Sequence, residues 1–262
     1  MKTALTIAGS DSGGGAGIQA DLKTFAAHGV YGTCAITAVT AQNTCGVTAS
    51  ATMTVDLIEA QVRAVAGDIG VDAVKTGMLA SSPIVDAVSG LLPTLGTPHV
   101  VVDPVMVAKG GARLLADEAV ASVKASLLPK AAIVTPNAME AEVLSGISIG
   151  SLNDVHEAAR RIHDLGPRIV VVTGGHVPES DAVDLVYDGR TFTELRGPRL
   201  DSRHTHGTGC TFAAAVAAGL ALGRPILDAI ANAKAYVTAA MQHGVAVGQG
   251  HQPLDHFWRF DP

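Results

Sequence analysis

Short apolar segments typical of buried strands alternate with amphipathic helical patterns along nearly the whole chain of 262 residues. Such an alternation predicts an α/β protein, with a mostly parallel central β-sheet flanked by helices on both faces. The predicted strands cover residues 5–8, 34–39, 73–76, 99–102, 133–135, 169–173, 183–187 and 192–195. The predicted helices cover residues 18–28, 55–66, 84–95, 118–127, 138–145, 152–165, 211–222 and 226–243. No Pro/Ser-rich linker or charge run divides the chain, so we expect a single domain over residues 1–262.

Charge and cysteine content limit the kind of partner. The formal net charge is −6, and no basic cluster with interleaved aromatic residues occurs, which argues against nucleic acid and anionic membrane surfaces. We therefore expect a small-molecule partner. The three cysteines form no C-x-x-C pair, so neither a disulfide framework nor a zinc site is indicated. With no leader-like segment and no run of about 20 apolar residues, the expected location is the cytoplasm.

Polar or glycine-marked segments follow six of the predicted strands, at their carboxyl ends. In an open α/β sheet these ends share one edge, which is where ligands bind. The segments, each taken as a loop, begin at Gly9, Thr40, Gly77, Asp103, Pro136 and Gly174. The sequence therefore predicts one shared site at this edge.

A second glycine-rich segment, His204-Thr205-His206-Gly207-Thr208-Gly209-Cys210, precedes the apolar helix predicted at residues 211–222. Backbone N–H groups and the positive end of the helix dipole at such a start favour a phosphate or a developing anion. Cys210 lies where this field is expected to lower the pKa of a thiol. The alternative is a glycine-rich turn followed by a small buried cysteine.

Residues 15–20 also fit the G-x-G-x-x-G/A pattern of dinucleotide-binding proteins. That pattern needs an acidic residue about 20 positions later to hold the ribose, and none occurs between Leu22 and Val55. No P-loop motif is present either. A dinucleotide site is therefore disfavoured.

Asp103, Asn137 and Glu140 are oxygen donors that suit Mg²⁺, bound directly or through its waters. Asn137 and Glu140 also have the spacing of a helix N-cap and its third residue, so capping is the alternative. Gln42 can offer a donor and an acceptor to an aminopyrimidine edge, or it can be a solvated loop residue. The two histidines of H-x-H at 204–206, with His176, are only a weak indication of a metal site.

The combination of motifs resembles one enzyme family. The segments concerned are AGSDSGGGAGIQAD at 8–21, TAQNT at 40–44, KTGML at 75–79, DPVM at 103–106, TPN at 135–137 with Glu140, and HGTGC at 206–210. Together they are similar to the bifunctional hydroxymethylpyrimidine/phosphomethylpyrimidine kinases of thiamine biosynthesis, in the ribokinase-like superfamily. The resemblance implies a ribokinase-like fold, a homodimer, and ATP- and Mg²⁺-dependent phosphorylation of a hydroxymethylpyrimidine and then of its monophosphate.

The resemblance also implies roles for individual residues. Pyrimidine binding falls to Gly9, Gln42, Met78 and Val105. Cys210 occupies the place of the aspartate base of other ribokinase-like kinases, beside an anion hole that includes Gly207 and Gly209. The phosphates, the nucleotide and Mg²⁺ are assigned to Asp103, Lys109, Asn137, Glu140, Thr173 and Thr205, with Asp103 and Glu140 on the metal. Lys109 and Arg113 are the candidates for positive charge in the second phosphorylation.

Thr173 departs from the family pattern, because several relatives have lysine there. Within the superfamily, a pyridoxal or pyridoxine kinase is the nearest alternative, and a thiazole kinase is a more distant one. Outside it, a dinucleotide-dependent oxidoreductase and a catalytically silent small-molecule sensor remain open at this point.

Overall fold

The computed structural model describes residues 1–108, 111–174 and 181–260. Within these residues nine strands form one sheet in the order β3-β2-β1-β4-β5-β6-β7-β8-β9. Their bounds are β1 Thr3–Asp11, β2 Tyr31–Asn43, β3 Gly46–Thr52, β4 Ala73–Thr76, β5 Val100–Val102, β6 Ile133–Val134, β7 Ile169–Val172, β8 Asp181–Tyr187 and β9 Phe192–Pro198. The six central strands β2, β1, β4, β5, β6 and β7 are mutually parallel, and β3, β8 and β9 add antiparallel pairs at the two edges. The mostly parallel sheet is thus confirmed.

One part of the prediction was wrong. Residues 40–43 were expected in a loop, but they continue β2, which turns at Thr44 and Cys45 into the antiparallel edge strand β3. The sequence of β3 did not indicate a strand because most of its side chains are exposed. Its conformation depends on backbone pairing with β2, including Ala41 with Ala49 and Gln42 with Val47.

The helices occur where the sequence predicted them. They are α1 Gly17–Ala27, α2 Val55–Asp68, α3 Ser82–Leu91, α4 Asp117–Ser122, α5 Ala138–Ser145, α6 Leu152–His163, α7 Thr208–Ala221 and α8 Ile226–Gln242. A 3₁₀ turn at Leu92–Leu95 extends α3, and a π turn at Val123–Leu127 extends α4. The hydroxyl of Ser151 accepts the N–H of Asp154 and caps α6.

Each face of the sheet has its own apolar core. On one face, α2 to α6 pack side chains such as Ile58, Val88 and Ile162 against the strands. On the other face, α1, α7 and α8 do the same, and α7 is buried along almost its whole length because its side chains are small. In the described residues, no helix is long and apolar enough to cross a lipid bilayer.

Candidate active site

Asp11, the last residue of β1, organises the first glycine-rich loop. One oxygen of its carboxylate accepts the N–H of Gly13 at 2.8 Å, and the other accepts the N–H groups of Gly15 at 3.1 Å and Ala16 at 2.9 Å. The second oxygen also lies 2.8 Å from Nε2 of His206. Burial acts to raise the pKa of Asp11, but these hydrogen bonds outweigh it and hold the pKa below its usual value. The ionised carboxylate therefore ties the first glycine loop to the second.

The second glycine loop begins α7 three residues earlier than predicted, at Thr208. Gly207 has φ of 86°, and a Cβ there would collide with the carbonyl oxygen of Gly15. Only glycine fits this turn. In the described residues no side chain caps α7, and Gly209 is exposed, so the N–H groups of the first turn are open to a ligand. The predicted anion hole at Gly207, Gly209 and Cys210 therefore has a suitable geometry.

Cys210 is partly buried in the first turn of α7. Desolvation by burial raises the pKa of its thiol to about 12, the carboxylates of Asp103 and Asp21 add to the rise, and Lys75 opposes it. The expected lowering of this pKa was wrong for the free protein. The helix terminus gives a favourable field, but loss of water and two nearby carboxylates outweigh it.

A buried ion cluster lies close to Cys210, and of its members only Asp103 was assigned a role from the sequence. Lys75 in β4 is completely buried, with Nζ 3.0 Å from Asp21 Oδ2 and 3.4 Å from Asp103 Oδ2. Thr6 donates to the same oxygen of Asp21 at 2.6 Å. The two carboxylates raise the pKa of Lys75 despite its burial, whereas burial raises the pKa of both aspartates. A lysine inside an apolar strand segment was the sequence signal for this cluster.

Asn137 and Glu140 form the capping box of α5. The Asn137 side chain accepts the N–H of Glu140 at 3.0 Å, and the Glu140 carboxylate accepts the N–H of Asn137 at 3.0 Å. Burial and the charge of Asp103 raise the pKa of Glu140 to about 8, against these hydrogen bonds. The capping alternative is therefore present in the structure, and it places a buried carboxylate within electrostatic reach of Asp103.

These carboxylates suit a divalent cation that brings its own ligands. Asp103 Oδ2 is buried and its ion pair with Lys75 is long, at 3.4 Å, and a cation would relieve the repulsion between Asp103 and Glu140. Among residues 1–108, 111–174 and 181–260, no three His, Cys, Asp or Glu side chains converge on one metal position. The residues therefore fit Mg²⁺ held largely by phosphate oxygens and water, with few protein ligands.

The four residues assigned to the pyrimidine lie at the same edge in two groups. A Cβ at Gly9 would come within 2.9 Å of the Met78 sulfur, so these two residues are in close contact. Val105 lines a small cleft together with Asp103. Gln42 lies across the edge, with its side-chain amide 3.5 Å from the His206 ring.

The residues assigned to the nucleotide lie in separate parts of the chain, and some of them are neighbours in the structure. Thr173 donates its N–H to Pro136 at 2.9 Å and is paired with Asn137, so these two predicted residues are neighbours. Thr205 precedes α7 and accepts a hydrogen bond from Thr208 at 3.2 Å. Lys109, together with His176, lies outside the described residues, and Arg113 forms an exposed ion pair with Asp117.

The segment after α8 also reaches the site, which the sequence did not indicate. His251 donates its N–H to Thr44 at 2.8 Å, and Gln252 accepts the N–H of His206 at 3.1 Å. Further along, His256 Nε2 lies 3.0 Å from the hydroxyl of Thr211 in α7. The C-terminal segment thus links the β2–β3 turn to the start of α7.

Comparison with known proteins assigns the family. A family model described as phosphomethylpyrimidine kinase matches residues 11–255. A hydroxymethylpyrimidine/phosphomethylpyrimidine kinase of Bacillus subtilis is 49% identical over 255 residues, covering 97% of this chain and 94% of that protein. One of Streptomyces coelicolor is 51% identical over 254 residues, with the same coverage of 97% and 94%.

Solved structures agree with this assignment. An ADP complex of Bacillus subtilis pyridoxal kinase superimposes with a TM-score of 0.92 at 42% identity, covering 100% of both chains. A phosphomethylpyrimidine kinase from Clostridium difficile superimposes with a TM-score of 0.81 at 42% identity, covering 92% of this chain and 99% of that one. The ribokinase-like fold and the family resemblance predicted from the motifs are confirmed. The chain belongs to the phosphomethylpyrimidine kinase family.

Proposed function

We propose that this kinase transfers the γ-phosphate of ATP to 4-amino-5-hydroxymethyl-2-methylpyrimidine and then phosphorylates the monophosphate to the diphosphate, in thiamine biosynthesis. The observation that carries the proposal is near-full-length similarity, at about half of all positions, to enzymes named for both steps. The arrangement of the two glycine loops, Cys210 and the Asp103 cluster at one sheet edge is consistent with it.

Phosphoryl transfer depends mainly on positioning and on neutralising charge. The open N–H groups at the start of α7, with the helix dipole, would hold the transferred phosphoryl group at Gly207, Gly209 and Cys210. Mg²⁺, when bound near Asp103 and Glu140, would neutralise charge on the ATP phosphates. The start of α7, at Gly207, Gly209 and Cys210, therefore supplies a fixed, positively polarised surface for the reaction.

Cys210 would face the hydroxymethyl group of the pyrimidine. With its pKa near 12 in the free protein, the thiol is protonated at neutral pH and orients the hydroxyl group. It would act as a base only if the bound ligands lower this pKa. The nearby ammonium group of Lys75 and the backbone N–H of Gly17 both favour the thiolate.

The second step has a different requirement. Its nucleophile is a phosphate that is already ionised, so no base is needed, but two anions must approach each other. We propose that Lys109 and Arg113, which follow Asp103 in the chain, provide the positive charge. Asn137, Thr173 and Thr205 would border the nucleotide.

A second candidate activity is phosphorylation of pyridoxal. It is favoured by the similarity to solved pyridoxal kinases, including one from Staphylococcus aureus bound to AMP-PCP and pyridoxal at 37% identity, with a TM-score of 0.90. That similarity covers 98% of this chain and 94% of the other. A single chain of this family can therefore be expected to accept either ring.

A substrate panel with ATP and Mg²⁺ tests both activities. The panel contains hydroxymethylpyrimidine, its monophosphate, pyridoxal, pyridoxine and hydroxyethylthiazole, and each product is identified by mass. We expect both pyrimidine steps to proceed. Turnover of pyridoxal without either pyrimidine step would overturn the proposal. We further propose that residues 1–262 form one catalytic domain and assemble as a cytoplasmic homodimer. Light scattering of the purified protein tests the dimeric state.

A further inference from the structure

The side-chain amide of Gln42 lies between two polar groups whose hydrogen-bonding roles are already fixed. The structure places the amide oxygen of Gln42 3.0 Å from the hydroxyl of Thr40 and the amide nitrogen 3.5 Å from Nε2 of His206. Thr40 is buried, and Gln42 is partly buried near the carboxyl end of β2. The orientation of this amide decides which ligand atom bonds to its oxygen and which bonds to its nitrogen.

His206 must donate from Nε2. This nitrogen lies 2.8 Å from Asp11 Oδ2, and that oxygen already accepts the N–H groups of Gly15 and Ala16. A carboxylate that receives several N–H groups is ionised and can only accept, so the His206 proton is on Nε2. A second N–H group facing this nitrogen would be repelled, whereas an amide oxygen would be attracted.

Thr40 must accept from the amide. Its hydroxyl lies 3.0 Å from the carbonyl oxygen of Ser10 and 3.0 Å from Gln42. A hydroxyl has one proton, and a backbone carbonyl can only accept, so the proton goes to Ser10. The lone pairs of the Thr40 oxygen then face the amide, and the amide nitrogen is the group that bonds to it.

Both constraints select the same orientation. They favour the reverse of the placed orientation, in which the Gln42 nitrogen faces Thr40 and the Gln42 oxygen faces His206. Because the two ends of a carboxamide have the same shape, hydrogen bonding alone decides between its two orientations. One N–H of the amide and its oxygen then remain for a ligand.

We propose that Thr40 and the Asp11–His206 pair are positioning residues that fix the orientation of the Gln42 amide and so determine specificity for an aminopyrimidine ring. The inference rests on the proposed function, in which Gln42 binds the pyrimidine. An aminopyrimidine offers a ring nitrogen next to an amino group, which pairs with an amide in one direction only. The direction of the amide therefore sets the orientation of the bound ring. The orientation of the ring in turn sets where the neighbouring hydroxymethyl group lies relative to Cys210.

The test compares binding of two compounds by calorimetry, the aminopyrimidine substrate and 5-hydroxymethyl-2-methylpyrimidine, which lacks the amino group. Thr40→Val should reduce the preference for the amino compound by roughly 5- to 10-fold, the usual effect of one hydrogen bond. Thr40→Ser keeps the hydroxyl and should restore the preference. Thr48→Val is the matched control, because within the described part of the chain the Thr48 hydroxyl bonds to the Ala41 carbonyl of the same hairpin, at 3.0 Å, and not to Gln42, so it should not change the preference.

Equal weakening of both compounds, or a loss in Thr40→Ser as large as in Thr40→Val, would mean that Thr40 is merely structural and would overturn the proposal. Gln42→Ala separates the two levels of inference. If Gln42→Ala leaves the preference intact, the ring does not bind there and the proposed pyrimidine site fails. If Gln42→Ala removes the preference and Thr40→Val does not, only the positioning proposal fails.

A measurement on the unaltered protein keeps the proposal testable even if Thr40→Val does not fold. The ¹⁵N chemical shifts of the His206 ring report which nitrogen carries a proton. We expect a protonated Nε2. An unprotonated Nε2 would allow the amide to donate to it and would overturn the proposed orientation.

Discussion

Replacement of Cys210 by alanine separates the two phosphorylations. The thiol has a pKa of about 12 in the free protein, so at pH 7 only about one molecule in 10⁵ carries a thiolate. If Cys210 accepts the hydroxyl proton, Cys210→Ala should lower the first phosphorylation by roughly 10²–10⁴-fold, the usual range for a general base. The second phosphorylation needs no base, and the N–H groups of the α7 start survive the substitution, so it should fall by less than about tenfold.

The assay follows ADP release separately with hydroxymethylpyrimidine and with its monophosphate, for the unaltered protein and the variant. With a thiolate as base, the rate of the first step should increase about tenfold per pH unit above pH 7 in the unaltered protein, because the thiolate fraction does so. The variant should lose this slope. Cys34→Ala is the matched control, since Cys34 is a similarly half-buried thiol in β2 whose pKa is also raised by burial.

Two results would refute the reasoning. Equal losses in both steps would mean that Cys210 maintains the shape of the anion hole and takes no proton. No loss in either step would mean that Cys210 is only a small buried thiol with no part in the reaction.

Three further predictions follow from the structure. Lys75→Met should reduce the free energy of unfolding by roughly 3–5 kcal/mol in urea titrations, because it leaves two buried carboxylates without their cation at 3.0 and 3.4 Å. Lys2→Met, which removes an exposed ion pair, is the control, and a loss in Lys75→Met as small as the loss in Lys2→Met would contradict this. Gln42→Ala should weaken pyrimidine binding by about 1–3 kcal/mol, whereas Gln61→Ala, whose amide bonds only to backbone groups in the described residues, should reduce stability and leave affinity unchanged. Burial lowers the pKa of His256 from 6.5 to about 4, so the unfolded chain binds more protons between these values, and up to about 3 kcal/mol of stability should be lost as the pH falls from 6.5 to 4. An equal acid sensitivity in His256→Gln would show that other groups are responsible.

The sequence by itself determined the elements that depend on local patterns. The strand at residues 73–76 and the helix at 138–145 occur with the predicted bounds, and the helix follows from a local signal, its capping box. Gly207 was recognisable as a turn residue for the same reason. The family motifs also identified the carboxyl edge of the sheet as the site, since parallel strands place their following loops together.

Only the tertiary structure decided the electrostatics of that site. The pKa of Cys210 depends on burial and on Asp103, Asp21 and Lys75, which are more than 100 positions away in the chain. The strand β3 likewise exists because β2 offers it backbone partners, although its own exposed side chains carry no strand pattern. Local propensity acts over a few residues, whereas desolvation and charge pairing arise only when distant segments of the chain pack together, and these long-range effects set the chemistry of the candidate site.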